Sequence, residues 1–295
     1  MDRFKLKITD YVSFKISKEE FEDKTNKDYP YVQKRNGEDR YYAVCLGCNN
    51  PIELVGLYKK TGDKDVIYGR HVPYNVTKIA DYNQEDYDTC PYASKNTAHK
   101  QNTTWSKNSL IGKNNKRMLK EQFDRIIYIL MRQTGVNFSR KIAQRMLDIF
   151  VGNKGWLNRD VTSDNLPWKF AEALHALPLN GQYIKTSSDL CKSLLKQDTN
   201  FFGDQDLKQD SIQVLFDNNK KYKFVFENFK HHLLNGQHIE EKIDFVVFKE
   251  AKPESKELYR ETLDVDPDYL SNLIKKGNEE YRNHALLKYA EEHIK

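Results

Sequence analysis

Four cysteines in 295 residues are too few to staple a chain of this size through disulfides. No apolar run approaches the roughly 18 residues that a membrane-spanning helix needs, and nothing resembles a secretory leader, so the expected setting is cytosolic, without membrane contact. There is no Gly-x-x-x-x-Gly-Lys phosphate loop and no Gly-x-Gly-x-x-Gly after a strand, which argues against nucleotide chemistry by either route. No nucleophile elbow supports a Ser-His-Asp set. Apolar residues make up only 38% of the chain, yet 15 Phe, 18 Tyr and 3 Trp supply side chains large enough for real cores.

The few cysteines that exist are crowded. Cys45-Leu46-Gly47-Cys48 is followed by His71 and Cys90, so three of the 4 cysteines fall within a short stretch. Two thiolates two residues apart can grip one ion from a single tight turn, with Gly47 lending the turn its backbone freedom. His71 and Cys90 complete a set of four soft ligands, with His99 as the rival to His71, and zinc is the expected ion. Two other readings stand beside this one. The cysteines can be small buried apolar residues with His71 a satisfied loop histidine, or they can form a disulfide, which a reducing cytosol disfavours. Cys191 sits among Leu190, Leu194 and Leu195 and reads as a core residue.

Charge is unevenly spread. From Lys95 to Arg145 twelve Lys or Arg face only Glu121 and Asp124, a local +10 in a chain of net +5, so the remainder carries −5. Lys95, Lys100, Lys107, Lys113, Lys116, Arg117, Lys120 and Arg125 are interleaved with Asn, Thr, Ser and Trp105. Cations that release counterions, polar groups that fix position and an aromatic ring for stacking suit a nucleic-acid partner. A solvated charged face, or an acidic protein surface as partner, accounts for the same residues.

The hydrophobic pattern orders the rest. Phe4, Leu6 and Ile8, then Val12, Phe14 and Ile16, alternate as two strands, and residues 18–40 read as a loop or short helix. Tyr41–Val44, Ile52–Tyr58 and Val66–Tyr68 are strands around the cysteine knuckle and the turn Lys60-Thr61-Gly62-Asp63, forming a metal-pinned β-ribbon. Helices are expected over 114–135 with Asn115 as cap, from Ser139 to Gly152, over Pro167–Leu177 and over Ser188–Lys196. Ser211–Phe216, Tyr222–Phe229 and His238–Phe248 read as three strands joined at Asn218-Asn219 and Asn235-Gly236, followed by helices from Asp266 and from Asn278 to His293. The expected fold is therefore α+β: an N-terminal zinc β-ribbon, a helical middle and a C-terminal three-stranded antiparallel sheet with helices. Residues 1–110 form one expected domain and 111–295 the other.

The segment Cys45-x2-Cys48, a strand pair, Arg70-His71-Val72-Pro73-Tyr74 and Cys90-Pro91-Tyr92 resembles the zinc ribbon of competence-protein-CoiA-like nucleases over residues 40–95. Tyr74 stands where that family has a second histidine, and Val72 where it has an aromatic. The resemblance implies a nuclease domain of restriction-endonuclease type, with an acidic residue on one strand and Glu-x-Lys on the next; Glu250-Ala251-Lys252 matches the latter. Asp244 and Glu250 would be about 20 Å apart on one regular strand, too far to share an ion. Two-residue turns instead set Glu227 opposite Asp244 and Asp210 opposite Glu227, a row of carboxylates that wants a Mg²⁺ ion, a proton or a lysine such as Lys242. His231, His232 and His238 flank a turn as a second candidate metal site. The favoured function is nucleic-acid binding through the basic segment, oriented by a structural zinc ribbon. Its alternatives are a Mg²⁺-dependent nuclease using Glu227, Asp244, Glu250 and Lys252, and a non-catalytic protein-binding subunit of a phage-defence or competence assembly.

Overall fold

Ser17 Oγ accepts the Glu20 amide and so starts the first helix, α1 (Lys18–Thr25), in a computed structural model of the chain. The model describes residues 1–58, 67–93, 104–197, 201–202, 209–215, 221–234, 238–251, 254–277, 279 and 282–295. The turns at Lys60-Thr61-Gly62-Asp63, Asn218-Asn219 and Asn235-Gly236 lie outside these residues. The chain divides into two compact units: one of residues 1–118, 156–164 and 232–240, the other of 119–155, 165–231 and 241–295. The mixture of helices and antiparallel sheets makes the protein α+β.

In the first unit, β1 (Arg3–Phe4) pairs with β2 (Phe14–Lys15), much shorter strands than the alternation of apolar residues predicts. A four-stranded sheet follows, in the order β3 (Val32–Arg35), β4 (Glu38–Val44), β5 (Pro51–Val55) and β6 (Tyr68–His71). The β3–β4 hairpin replaces most of the loop expected before Tyr41. Asn36 and Gly37, at φ of 53° and 80°, form its tight turn, the pairing of left-handed residues that a two-residue hairpin demands. Lys5 joins this sheet by a backbone bridge to Val44, exchanging bonds of 2.9 and 3.0 Å. Phe4, Phe21, Ala43, Ile52 and Leu54 close a core around Cys45, Cys48 and Cys90.

Helix α3 (Leu110–Thr134) begins a full turn before the expected start at Asn114. Ser109 Oγ accepts the Gly112 amide there, and a β-carbon on Gly112 would meet Leu157 at 2.7 Å, so this turn demands close packing. Asn115 is no cap: Asn114 and Asn115 are buried, their amides donated to the carbonyls of Ile8, Trp156 and Val161.

In the second unit, Ser139 caps α4 (Arg140–Gly152) through the Ile142 amide, as its sequence predicts. α5 (Leu166–Glu172) and α6 (Asp189–Gln197) follow, the latter burying Cys191. Trp168, Phe123, Phe150 and Phe170 fill the helical core. The expected three-stranded sheet is corrected in two ways. β7 (Val136–Asn137), β9 (Tyr183–Lys185) and β10 (Ser211–Gln213) form a small sheet of their own, in the order β10-β9-β7. β11 (Tyr222–Leu234) takes β8 (Leu177–Pro178) as its neighbour, and β12 (His238–Lys249) pairs on its far side with β13 (Lys256–Asp264). The sheet is thus β13-β12-β11-β8. α7 (Tyr269–Lys276) and α8 (His284–His293) end the chain.

Candidate metal centre

The cysteine knuckle is the turn that carries β4 into β5. Cys45 N–H donates to Asn50 O at 2.9 Å and Asn49 N–H to Cys45 O at 3.1 Å, with Asn49 in the left-handed region at φ 58°. Gly47 itself does not have a positive φ, so backbone freedom is not why it is glycine. Space is the reason: a β-carbon there would lie 2.8 Å from the Tyr92 ring and 3.2 Å from Pro91. Those two residues follow Cys90 and pack it onto the knuckle. His71, the last residue of β6, is brought alongside by its register partner Ile52. Cys90 lies just beyond the short helix α2 (Gln84–Asp88), where Asn83 caps the Asp86 amide.

The four side chains converge, their ligand atoms all within 4.8 Å of one another. Cys45 Sγ and Cys90 Sγ are 3.7 Å apart; His71 Nε2 is 3.3 Å from Cys48 Sγ and 3.7 Å from Cys90 Sγ. A disulfide, with its S–S bond of about 2.05 Å, is excluded. An ion at about 2.3 Å from sulfur and about 2.0 Å from nitrogen in a tetrahedron sets S···S edges of about 3.8 Å and S···N edges of about 3.5 Å. The S···S edge of 3.7 Å lies close to the first value and the S···N edges of 3.3 and 3.7 Å fall either side of the second, so the donor set fits a tetrahedral metal ion. Among the described residues this is the one such group of three or more His, Cys, Asp or Glu side chains. His99 lies outside the described residues. Tyr74 is engaged elsewhere, its hydroxyl 3.3 Å from that of Tyr42 and its ring under the Arg35 guanidinium.

The electrostatics point the same way. Burial pushes the Cys48 and Cys90 thiols up. At Cys45 burial acts in the same sense but is outweighed by hydrogen bonds from Cys48 and Cys90 and by His71, which hold its thiol well below the ordinary value. Protein groups alone thus favour one thiolate, and a cation among the three would favour the thiolate form of the other two. Around the ligands, Gly47 N–H donates to Cys45 Sγ at 3.4 Å and Asn50 Nδ2 to Cys48 Sγ at 3.3 Å, and the Tyr87 ring stands edge-on to His71 at 5.1 Å. Asn50 also clasps Asn83, accepting its N–H at 2.6 Å and donating to its carbonyl at 3.0 Å. These contacts fix ligand orientation, a role the sequence spacing did not single out.

The basic segment is only partly available to a partner. Trp105, expected to stack on a base, is 4% exposed; its ring packs with Ile111 and Leu157 and carries the Arg159 guanidinium 4.3 Å from its centroid. Arg125 is buried, donating to Gln122 Oε1 at 2.6 Å and 3.8 Å from Glu279. Both are structural, because helix periodicity turns Arg125 inward and the buried indole has no free face. Lys107, Lys113 and Arg117 are exposed and Lys116 and Lys120 half-buried; Lys95 and Lys100 lie outside the described residues.

The carboxylate row is broken up. Asp210 belongs to the approach to β10, its carbonyl accepting the Thr186 amide, and β10 does not pair with β11. Glu227 and Asp244 do approach one another, but with Arg260 between them: its guanidinium donates to Glu227 Oε1 at 2.9 Å, Asp244 Oδ2 at 3.0 Å and Glu257 Oε2 at 2.7 Å. Thr262 Oγ1 and Asn228 Nδ2 complete the bonds to Asp244. An arginine already bridges these carboxylates, and none of them belongs to a metal-ligand group among the described residues. Glu250 is an exposed residue 2.6 Å from Lys223 Nζ, and Lys252 lies outside the described residues. His231 Nδ1 faces Glu241 Oε1 at 3.0 Å and belongs to no metal-ligand group.

Fold and site together define an α+β protein with a buried Cys3His cluster able to hold a metal ion. The chain matches no family model, no curated protein and no solved structure.

Proposed function

We propose that the chain is a zinc-stabilised nucleic-acid-binding protein. Three cysteines and a histidine at tetrahedral spacing favour zinc over the harder divalent ions, which prefer oxygen. All four positions are filled by protein, so the ion's role is structural.

One observation carries the binding half of this reading. Lys113, Lys116, Arg117 and Lys120 recur at three- and four-residue spacing in the first half of α3, within an arc of about 100° of the helix. No acidic side chain stands between them in sequence, and the first acid of the helix is Glu121. Lys116 lies over the Trp156 ring at 5.3 Å and Arg117 over Tyr11 at 5.2 Å, while Arg117 donates to Thr9 O at 2.7 Å. These contacts prearrange cations along a line, which suits a phosphate backbone better than a single anion.

Fluorescence anisotropy with labelled single-stranded and double-stranded DNA and RNA, over a series of salt concentrations, tests the reading. Binding should weaken steeply with salt, and the double variant Lys113→Glu/Arg117→Glu should lose about tenfold or more in affinity and flatten the salt slope by about two. Absence of salt-dependent binding to all four ligands defeats it.

A further inference from the structure

Lys5 is almost fully buried, yet it forms no close ion pair with a carboxylate among the described residues. Its ammonium donates to Asn49 Oδ1 at 2.6 Å, on the knuckle itself. The two nearest carboxylates already have work of their own. Asp164 is held by Arg3 at 2.8 Å and by Ser13, and Asp10 accepts the Lys7 amide. An ammonium taken from water without a counter-charge is costly, so its burial here calls for an anion.

A loaded Cys3His centre would supply that anion. Three thiolates and a neutral imidazole around a dication would leave one net negative charge; burial pushes the Lys5 ammonium down to about 8, and among the charged groups that oppose this Cys45 acts most strongly. The backbone explains the placement: Lys5 is bridged to Val44, the residue before the first ligand, so the strand brings the ammonium to the cluster by its register. We infer that Lys5 is the built-in counter-charge of the Cys3His centre, a positioning residue that makes the buried, singly anionic metal complex stable. This inference rests on the zinc reading above.

The test is a metal-competition titration on the full chain, with a chromogenic zinc chelator and with thermal melts of the metal-free protein run in parallel. Wild-type chain should take up one zinc; if it takes up none, the zinc reading fails on its own, before Lys5 is tested. Lys5→Met should bind zinc about ten- to a hundredfold more weakly. Its metal-free melt should stay close to that of the wild type. Lys5→Arg should recover most of the lost affinity. Asn49→Gly, which removes the hydrogen bond, leaves the charge and tolerates the left-handed backbone of this position, should cost less than Lys5→Met. Zinc affinity of Lys5→Met within twofold of wild type overturns the inference. Should Lys5→Met fail to fold, the other two variants decide: affinity retained by Lys5→Arg supports the counter-charge, and an equal loss in Lys5→Arg and Asn49→Gly overturns it.

Discussion

Asp244 is buried, yet both of its oxygens are engaged, by Thr262 on one side and by Asn228 and Arg260 on the other. Burial alone would raise its carboxyl, but these hydrogen bonds outweigh it and hold the group below the ordinary carboxylate value. A carboxylate whose folded-state value is depressed adds stability above its unfolded value, about 3.9, and that stability is lost as pH falls through the folded value. Asp244→Asn should therefore lower stability at pH 7 by about 1 to 2 kcal/mol, with partial exposure of Arg260 screening part of the effect. The difference between variant and wild type in urea melts should shrink as pH drops below about 4. At this scale the sequence was legible where chemistry is rare. Three crowded cysteines have few other uses, whereas the choice between His71 and His99 as the fourth ligand was not legible in spacing alone; among the described residues it is His71 that meets the cysteines. Common residue types were not legible. Nothing local distinguishes a lysine that meets solvent from Lys5, or a stacking tryptophan from the buried Trp105, because the partner in each case comes from elsewhere in the chain. Arg260 was missed for the same reason: the carboxylates it joins lie on β11 and β12, and their number suggested a metal instead.

Ser139 illustrates what short-range sequence does decide. It precedes an apolar stripe of Ile142, Met146, Ile149 and Phe150, and in the fold its hydroxyl accepts the Ile142 amide and starts α4. Ser139→Ala should cost about 1 kcal/mol in chemical unfolding, with Ser139→Asp nearly neutral since aspartate caps equally well. The helices of the second unit were located by this logic of cap and period, although α5 ends at Glu172 rather than Leu177 and α8 starts at His284, capped by Asn283, rather than at Asn278. Strand partners were not. β10 reads as the first strand of a meander, but β8, two residues long, takes the place beside β11, and pairing choice depends on packing that no turn sequence encodes. β13 escaped notice because it is rich in charge, as strands with much of their surface in water can be. Asn36-Gly37 was an available signal: the same dipeptide at Asn235-Gly236 was read as a hairpin, while the charged residues around it disguised β3. Asn228, left-handed at φ 55° within β11, donates its side-chain amide to Asp244 Oδ2 at 3.1 Å, a contact that no turn length reveals.

All four metal ligands belong to the first unit, so loss of the ion should be felt unequally across the molecule. Chelation followed by hydrogen exchange read by mass spectrometry should speed exchange in peptides spanning residues 41–55 and 68–93, while those of β12 and β13 keep their protection. Uniform acceleration in both units would contradict a local structural role. The α+β class was legible from the alternation of helical and strand periods, whereas the return of residues 156–164 and 232–240 to the first unit was not, since it depends on tertiary packing alone. The β5–β6 pairing has one more consequence. It closes at Val55 opposite Tyr68, and Cys48 and His71 lie on the metal side of that closure. The length of chain beyond the closed end enters the stability of the centre only through a slowly growing logarithm. That end of the hairpin is therefore where the chain can accept an inserted sequence, an epitope or a reporter, with its metal ligands still in register.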